Sequence, residues 1–475
     1  MKQKIEGLKC EMHMKAVGIV ICNYNKHEYI CKCVQSIIDS SYKEVDIYVV
    51  DNASTDNSVE LLRREYNDRI EIIENPENIG GSGGFHVGLV KALEKEYKYV
   101  MCVDNDVIMG KDNISELFYY MEEHPEVAMV GSRVMIMDQP ERIQAMGAKI
   151  CFQTYTFKDN YRNYIFDNST PIEVECDYVP ACSMMVRTNA INKVGLLPSD
   201  TFIYWDDIEW GYRFKLAGYK IICYSKAVVW HKGNFRNIST FGKYYMWRNR
   251  IAFFTKYLSD EELDDFGDTI LSELFQMIYA CNYKGEFNII KTLMYAYDDA
   301  LHGIRGKADE EKIFEREKIA NKTDVFIHST ESIVLKFNGD YEALAEISNH
   351  IRSVNLNSEI TVLVDKAIKK KVQNHFPKLS VIDKLDEVNI MSLTICKHIF
   401  DVKEFEPGIM YIDKWCNFIE NEADFRYCSQ FSESKKLFIS MRRPVLIFCM
   451  GKLRQVYRDA GILMGVDIIR DCKVV

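Results

Sequence analysis

The sequence lacks any long apolar run: no stretch in its 475 residues approaches the roughly 20 apolar positions that a membrane-crossing helix needs. Its first residues show no signal-like apolar segment either, so the sequence reads as a cytoplasmic protein, soluble or peripheral at the inner face of the cell membrane. A basic excess is also missing. Sixty Lys and Arg stand against 70 Asp and Glu, a net charge of -10, which argues against nucleic acid as the main partner because phosphate binding leaves a basic footprint. The 15 cysteines are scattered and contain no C-x-x-C pair, Cys31 and Cys33 being the closest, so neither a disulfide framework nor a thiolate zinc site is indicated. Thiols inside apolar runs, such as Cys22 and Cys102, read as reduced and buried. Two phosphate-binding signatures are absent as well. No G-x-x-x-x-G-K-[ST] occurs, and the glycine-rich stretch 80–85 (GGSGGF) neither fits G-x-G-x-x-G nor follows the first strand.

What is present is an ordinary globular composition, 47% hydrophobic and 27% charged. The length exceeds one compact core and implies two domains with connecting helices. Apolar runs at 16–22, 45–50, 70–73 and 99–103 alternate with helical patterns, which predicts a doubly wound α/β sheet. In such sheets ligands bind beyond the carboxyl ends of the strands. Asn23, Asp51, the stretch 75–85 (NPENIGGSGGF) and Asp104-Asn105-Asp106 all fall at those ends, so four segments converge on one expected crevice. From 236 to 315 the pattern is mainly helical, ending in the charged connector KADEEKIFEREKIANK. Alternation then restarts with predicted strands in DVFIHS (324–329), EITVLVD (359–365), LSVID and GIMYID. The expected domains are 15–255, a helical segment and linker at 256–319, and a smaller Rossmann-like α/β domain at 320–475.

Asp104 and Asp106, one residue apart at a strand terminus, can both face a divalent cation, and hard cations want oxygen ligands; a plain polar turn accounts for the same residues. Asp206 and Asp207 open a helical stretch that stops at Gly218. Either serves as an N-cap, and the helix N-terminus also keeps a carboxylate ionised. Trp205 and Trp210 fit a hydrophobic core or a sugar-stacking platform. His231 ends a strand-like run; it is either a structural or solvated histidine or the imidazole that would complete a two-carboxylate site. The stretch 80–85 opens a helix and offers backbone amides to a phosphate or sugar, or is simply a flexible turn.

Taken in order, IVICNYN, VVDNASTD, NPENIGGSGGF, CVDND, CDYVPACSMMVR, FIYWDDIEWGYR, VVWH and WRNR resemble family 2 glycosyltransferases of the GT-A fold over residues 15–255. Within that family the chain looks most like the galactofuranosyl and rhamnosyl transferases. The resemblance implies a donor site formed by Asn23, Asp51, Asn78, Gly80, Gly81, Asp104, Asn105, Trp205 and Asp206, with Asp51 accepting from the uracil or thymine imide. It implies a Mn2+ or Mg2+ ion held by Asp104, Asp106 and His231, and Asp207 as the catalytic base. The implied donors are UDP-galactofuranose or dTDP-rhamnose, and the implied acceptor is a lipid-linked cell-envelope glycan. Polymerising galactofuranosyl enzymes carry paired tryptophans where this chain has Pro180-Ala181-Cys182, which leaves the acceptor open. One base on one face and a metal-bound leaving group on the other imply a single inverting displacement. Two rivals remain, a sugar nucleotidyltransferase and a non-catalytic nucleotide-sugar-binding module. The first is disfavoured by the glycine-free loop CNYNKHEYI and the second by the presence of a base. The C-terminal domain carries no such constellation and reads as a module for homo-oligomerisation or docking to the membrane or a partner, the alternative being a second transferase site. Its last segment, RRPVLIFCMGKLRQVYRDAGILMG, is expected to pack as helices or to lie on an anionic membrane surface.

Overall fold

The structure is a computed structural model that describes residues 16–233, 239–317, 322–385 and 392–461. The chain forms two compact units. The first runs to Phe266 and takes in Tyr295–Ile313 and the chain from Cys449; the second comprises Gly267–Met294 and Phe314–Phe448. This division differs from boundaries at 255 and 319, because the chain leaves the first unit and rejoins it twice. Composition marks charged connectors, whereas long helices here carry residues of both units.

In the first unit the strands are β1 (Val17–Asn23), β2 (Val45–Asp51), β3 (Glu71–Glu74), β4 (Tyr99–Asp104), β5 (Val107–Met109), β6 (Val127–Ile136), β7 (Gln139–Ala145), the hairpin β8 (Ala148–Cys151) and β9 (Thr156–Asp159), β10 (Glu173–Cys176), β11 (Ser183–Arg187) and β12 (Lys220–His231). Ten of them form one sheet with the path β10-β12-β6-β11-β4-β1-β2-β3, β5 pairing with β12 and β7 with β6. β1, β2, β3 and β4 are mutually parallel and β11 runs against them, so the sheet is mixed. Val17, Ile19, Val20 and Ile21 are fully buried, as expected of a central parallel strand covered on both faces. The helices are α1 (His27–Ile38), α2 (Ser58–Tyr66), α3 (Gly80–Ala92), α4 (Asn113–Glu123), α5 (Thr188–Val194), α6 (Asp206–Leu216) and α7 (Phe241–Tyr257). In α1 the buried Ile30, Cys33, Val34 and Ile37 recur at helical spacing and face the sheet core.

α8 (Leu263–Lys284) and α9 (Phe287–Leu301) follow; the second unit adds α10 (Lys322–His328), α11 (Tyr341–Val354), α12 (Lys369–His375), α13 (Glu422–Ser429) and the part of α14 (Phe431–Asp459) that precedes Cys449. Its sheet, β13 (Ser332–Lys336), β14 (Glu359–Leu363), β15 (Ser380–Ile382), β16 (Ser392–Ile395), β17 (Met410–Ile412) and β18 (Phe418–Ile419), has the order β15-β14-β13-β16-β17-β18. All of its pairings are parallel except β17–β18. The predicted strand DVFIHS is a correction: it lies in α10, and the strand is the next apolar run, SIVLK. Thr323, Phe326 and Ile327 are buried at i, i+3 and i+4, a helical period that a six-residue window does not distinguish from a buried strand. Residues 462–465 of the basic and apolar terminal segment lie outside the described residues. No helix among the described residues is long and apolar enough to cross a membrane.

Candidate active site

Parallel pairing sets the strand ends level: Asn23 lies opposite Asp51, and Cys22 opposite Asp104. The chain turns after β4, and β5 then pairs antiparallel with β12 so that His231 stands opposite Val107, the residue after Asp106. This one pairing brings together side chains 125 positions apart in sequence. His231 Nε2 is 2.9 Å from Asp106 Oδ1 and 3.6 Å from Asp104 Oδ2, and one ligand atom from each of the three lies within 4.8 Å of the others.

The electrostatics divide the two carboxylates. Burial raises Asp104, and the neighbouring Asp106 charge adds to it, offset by His231, leaving its pKa at about 6. Burial opposes ionisation of Asp106 too, but hydrogen bonds from His231 and from Lys26 Nζ (2.8 Å) outweigh it and bring its pKa to about 2. Burial lowers His231 while its bond to Asp106 and the charge of Asp104 raise it, with a net upward shift. Two carboxylates and an imidazole suit Mn2+ or Mg2+. The Gln144 amide faces His231 Nδ1 at 2.9 Å, and its Oε1 has no other partner among the described residues. No second contact therefore fixes which way the amide is turned. With Oε1 toward Nδ1, the ring carries its proton there and Nε2 presents a lone pair to the cation position. The donor set thus fits the ion.

Beneath this cluster lies a buried polar chain. Asn105 Nδ2 donates to Asn23 Oδ1 (2.9 Å), Asn23 Nδ2 donates to Asp51 Oδ1 (2.8 Å), and the Ser54 amide donates to Asp51 Oδ2 (2.8 Å). Asn52 Nδ2 donates to the Gly80 carbonyl (2.8 Å), and Asn78 Oδ1 accepts from the Gly80 amide (2.9 Å), fixing the start of α3. Gly80 has φ +79, and a Cβ there would sit 2.1 Å from the Phe202 carbonyl oxygen. At Gly84 a Cβ would meet Cys22 Sγ at 2.3 Å, so α3 approaches β1 more closely than a side chain permits.

The loop before α6 is strained: Phe202, Tyr204 and Trp205 adopt φ of 69, 62 and 69. Left-handed non-glycine residues cost of order 1–3 kcal/mol each and persist only where surroundings over-determine them. Here α7 supplies the restraint. Asn249 Nδ2 lies 3.0, 2.9 and 3.0 Å from the carbonyl oxygens of Thr201, Ile203 and Tyr204, and Arg248 Nη2 donates to the Thr201 carbonyl at 2.9 Å. The loop delivers Asp206 and Asp207 to the α6 N-terminus. Burial raises both, and their mutual repulsion raises Asp207 further; Asp206 reaches about 6 and Asp207 stands well above the carboxylate range. Glu209 of the same motif points elsewhere, accepting from Lys256 Nζ (2.5 Å) and Tyr257 (3.1 Å).

Two cavities meet at this site. The larger, about 600 Å³, is lined by Tyr24, Lys26, Asn52, Asn78, Gly80, Gly81 and Asn105, with a wall of Phe202, Phe241, Tyr245, Lys307 and Ile313. The smaller, about 340 Å³, contains Tyr178, Ala181, Tyr204, Asp206, Asp207 and His231. They share Gly81, Phe85, Asp104 and Ile203. The structure therefore gathers Asn78, Gly80, Gly81, Asp104 and Asn105 around the larger cavity, with Asp206, Asp207 and His231 around the smaller. Asn23 (0% exposed), Asp51 (2%) and Asp106 (5%) stand behind the surface and line neither cavity. Trp205 borders the smaller cavity, but at 1% exposure it packs on Phe253 (5.2 Å) and Phe254 (5.8 Å), the core alternative of the two the sequence offers. The sequence reading did not assign the wall formed by Phe241, Tyr245 and Lys307, nor the loop restraint by Asn249. WRNR was the one visible sign of the latter.

The glycosyl transferase family 2 model matches residues 18–192. An uncharacterized glycosyltransferase of Haemophilus influenzae is 26% identical over 197 residues, 41% of this chain and 58% of that protein. The poly-beta-1,6-N-acetyl-D-glucosamine synthase of Staphylococcus aureus is 23% identical over 221 residues, 46% of this chain and 50% of its own. The chain thus spans about half the length of these curated relatives. The mannosyltransferase PcManGT of Pyrobaculum calidifontis, solved with GDP-Man and Mn2+, aligns with a TM-score of 0.37 and 16% identity, covering 50% of this chain and 63% of that one. The matched segment holds β1 to β4, the glycine-rich start of α3 and the Asp104–Asp106 turn, and it makes this chain a carrier of a family 2 glycosyltransferase domain.

Proposed function

We propose that the protein is a metal-dependent inverting glycosyltransferase that moves a sugar from a nucleotide-sugar donor to a hydroxyl of a cell-envelope polysaccharide precursor. The observation that carries this reading is the junction at Asp104, where the Asp104–Asp106–His231 cluster adjoins both a nucleotide-sized cavity and a second cavity holding Asp207. The donor is assigned to the larger cavity, with Asp51, through Asn23 and Ser54, ordering the base-binding end. The motifs NIGGSGGF and WDD-x-E favour galactofuranose, with rhamnose next. A Mn2+ or Mg2+ ion held by Asp104, Asp106 and His231 supplies Lewis-acid neutralisation of the departing diphosphate. The acceptor enters the smaller cavity, where Asp207 takes its hydroxyl proton. Its raised pKa makes it a stronger base than an ordinary carboxylate. Attack from the Asp207 side on a sugar whose leaving group lies toward Asp104 gives one displacement and inversion. The synthase among the relatives supports a polysaccharide product.

The test is nucleotide release from a donor panel that includes UDP-galactofuranose and dTDP-rhamnose, with Mn2+, for wild type and Asp207→Asn. Release from one donor, lost in Asp207→Asn while donor binding persists, supports the assignment. Equal release by both proteins removes Asp207 as the base. Donor binding without release from any donor, even with a glycolipid acceptor, identifies a binding module.

A further inference from the structure

Buried tyrosines of the first unit place their hydroxyls on partners: Tyr257 meets Glu209 (3.1 Å), Tyr245 accepts from the Ala308 amide (2.8 Å), and Tyr66 donates to the Cys31 carbonyl (3.0 Å). Tyr178 differs. It is 6% exposed and lines the smaller cavity, yet its hydroxyl has no hydrogen-bond partner among the described residues. The oxygen is not sealed inside the protein either, so it faces the cavity that the residue lines. A buried phenol normally finds a partner. One that is left open toward a cavity marks the place of a ligand oxygen.

Packing fixes where this side chain stands. Gly211 follows Asp207 by one turn on the same face of α6. Tyr178 lies so close there that a Cβ on Gly211 would sit 2.8 Å from Tyr178 Cβ and 2.6 Å from the Asp177 carbonyl oxygen. The Ala148 amide holds the Tyr178 carbonyl (3.1 Å), and the Phe157 ring meets the Tyr178 ring edge to face with centroids 5.7 Å apart. Tyr178 and Asp207 thus share one face of α6 and one cavity. Burial, and then the charges of Asp207 and Asp159, hold the phenol well above the ordinary tyrosine range, so at neutral pH it keeps its proton and donates. The charge of the cavity narrows what it takes. Arg162 pairs with Asp159 (2.8 Å) and His231 with Asp106 (2.9 Å), whereas Asp206 and Asp207 have no ion pair among the described residues. An anionic group meets repulsion there, and a cationic one would pair with Asp207 and occupy the base. We propose that Tyr178 is a positioning residue for the acceptor, its hydroxyl donating to one oxygen of an uncharged sugar or polyol while Asp207 takes the proton from another. The proposal rests on the glycosyl-transfer reading and names the acceptor class for it.

Binding is read by saturation-transfer NMR on the full-length protein with UDP and Mg2+, a pair that permits no transfer. The probes are the neutral octyl glucoside, galactoside and mannoside, and the anionic octyl glucuronide. Wild type is expected to bind a neutral probe and to bind the glucuronide more weakly. Tyr178→Phe should weaken the neutral probe by about fivefold to tenfold, the scale of one uncharged hydrogen bond. It should also lose the wild-type preference for that probe over one of its monodeoxy analogues, because the group that reads the missing oxygen is gone. Its Tm should match wild type, since the hydroxyl holds nothing in the fold, whereas Tyr257→Phe gives up its bond to Glu209 and melts lower. The proposal is overturned if no neutral probe binds, if the glucuronide binds better, or if Tyr178→Phe binds as wild type does. A Tm that falls as far as that of Tyr257→Phe assigns the hydroxyl to the fold and overturns it too. Donor turnover with water as acceptor is measured separately. Turnover without probe binding removes this acceptor subsite alone. Probe binding that Tyr178→Phe weakens, with no donor turned over, removes the transfer reading and retains the Tyr178 contact.

Discussion

Asp206 and Asp207 are adjacent acids held at low exposure, and the cost of their charge shapes both stability and rate. Burial raises their folded-state pKa values, and the Asp206 charge raises Asp207 further, so they favour the fold while protonated and lose that contribution as pH rises above the ordinary carboxylate range. Asp207→Asn removes a charge but keeps an acceptor for the Ile208 amide, which Asp207 Oδ1 holds at 2.8 Å. It is expected to stabilise the protein by about 1 kcal/mol near neutrality, with a Tm advantage over wild type that widens as pH rises. The same variant should lose roughly 10²–10⁴ in kcat. In wild type the acid limb of the rate profile should lie above that of an unperturbed carboxylate, because the base must be ionised to act. Calorimetry and kinetics across pH check both signs. Gln144 acts on a different atom. With its amide unable to hold His231 Nδ1–H, Gln144→Leu is expected to weaken Mn2+ binding by about 10–100-fold, read by titration calorimetry without substrate, while Gln144→Glu retains an acceptor and keeps most of the affinity.

At the scale of elements, α7 stands out. Asn249 reaches three carbonyl groups of the strained loop, and Arg248 adds a fourth bond to the same segment. Asn249→Ala removes this donor from the Ile203 and Tyr204 carbonyls, while Thr201 keeps its bond from Arg248, at about 1–3 kcal/mol for a buried unmet group. The expected result is a Tm lower by several degrees and a reduced kcat, with Mn2+ affinity unchanged because the loop carries no ligand to the ion. The motif WRNR was visible in the sequence, but its role was not, since a bond to a carbonyl leaves no trace in residue types. Strands β1 to β4 were legible because their apolar runs end at polar residues. α10 was not, because a short buried helix and a short buried strand share one apolar signature. The pairing of β5 with β12 was hidden for another reason. His231 could be named as a ligand from the resemblance, yet the register that sets it beside Asp106 depends on contacts between distant segments.

At the scale of the molecule, the larger cavity draws its wall from residues that the sequence pattern placed in a solvated connector. After α9 the chain rejoins the first unit: the Gly306 carbonyl accepts from Arg248 Nη1 (2.8 Å), the Ala308 amide donates to the Tyr245 hydroxyl (2.8 Å), and Lys312 Nζ pairs with Asp299 (2.9 Å). Charge composition described this stretch correctly as polar but carried no information on what it covers. Its consequence is a second cation at the cavity. Lys26 is engaged by Asp106, whereas Lys307 lines the cavity with no ion pair among the described residues. A nucleotide diphosphate entering there meets the Lys307 ammonium in the bound state and in the transition state alike. Removing a contact of that kind raises KM and leaves kcat nearly unchanged. Lys307→Ala is therefore expected to raise the donor KM by about tenfold, the scale of one charge-assisted hydrogen bond of roughly 1.5 kcal/mol, with Tm unaltered because the side chain is exposed. Tyr245→Phe tests the wall itself. Losing the acceptor for the Ala308 amide should raise KM in the same direction and also lower Tm. A kcat decrease without a KM change in Lys307→Ala would place this ammonium at the reacting centre instead, and a silent Lys307→Ala would separate the segment after α9 from donor binding.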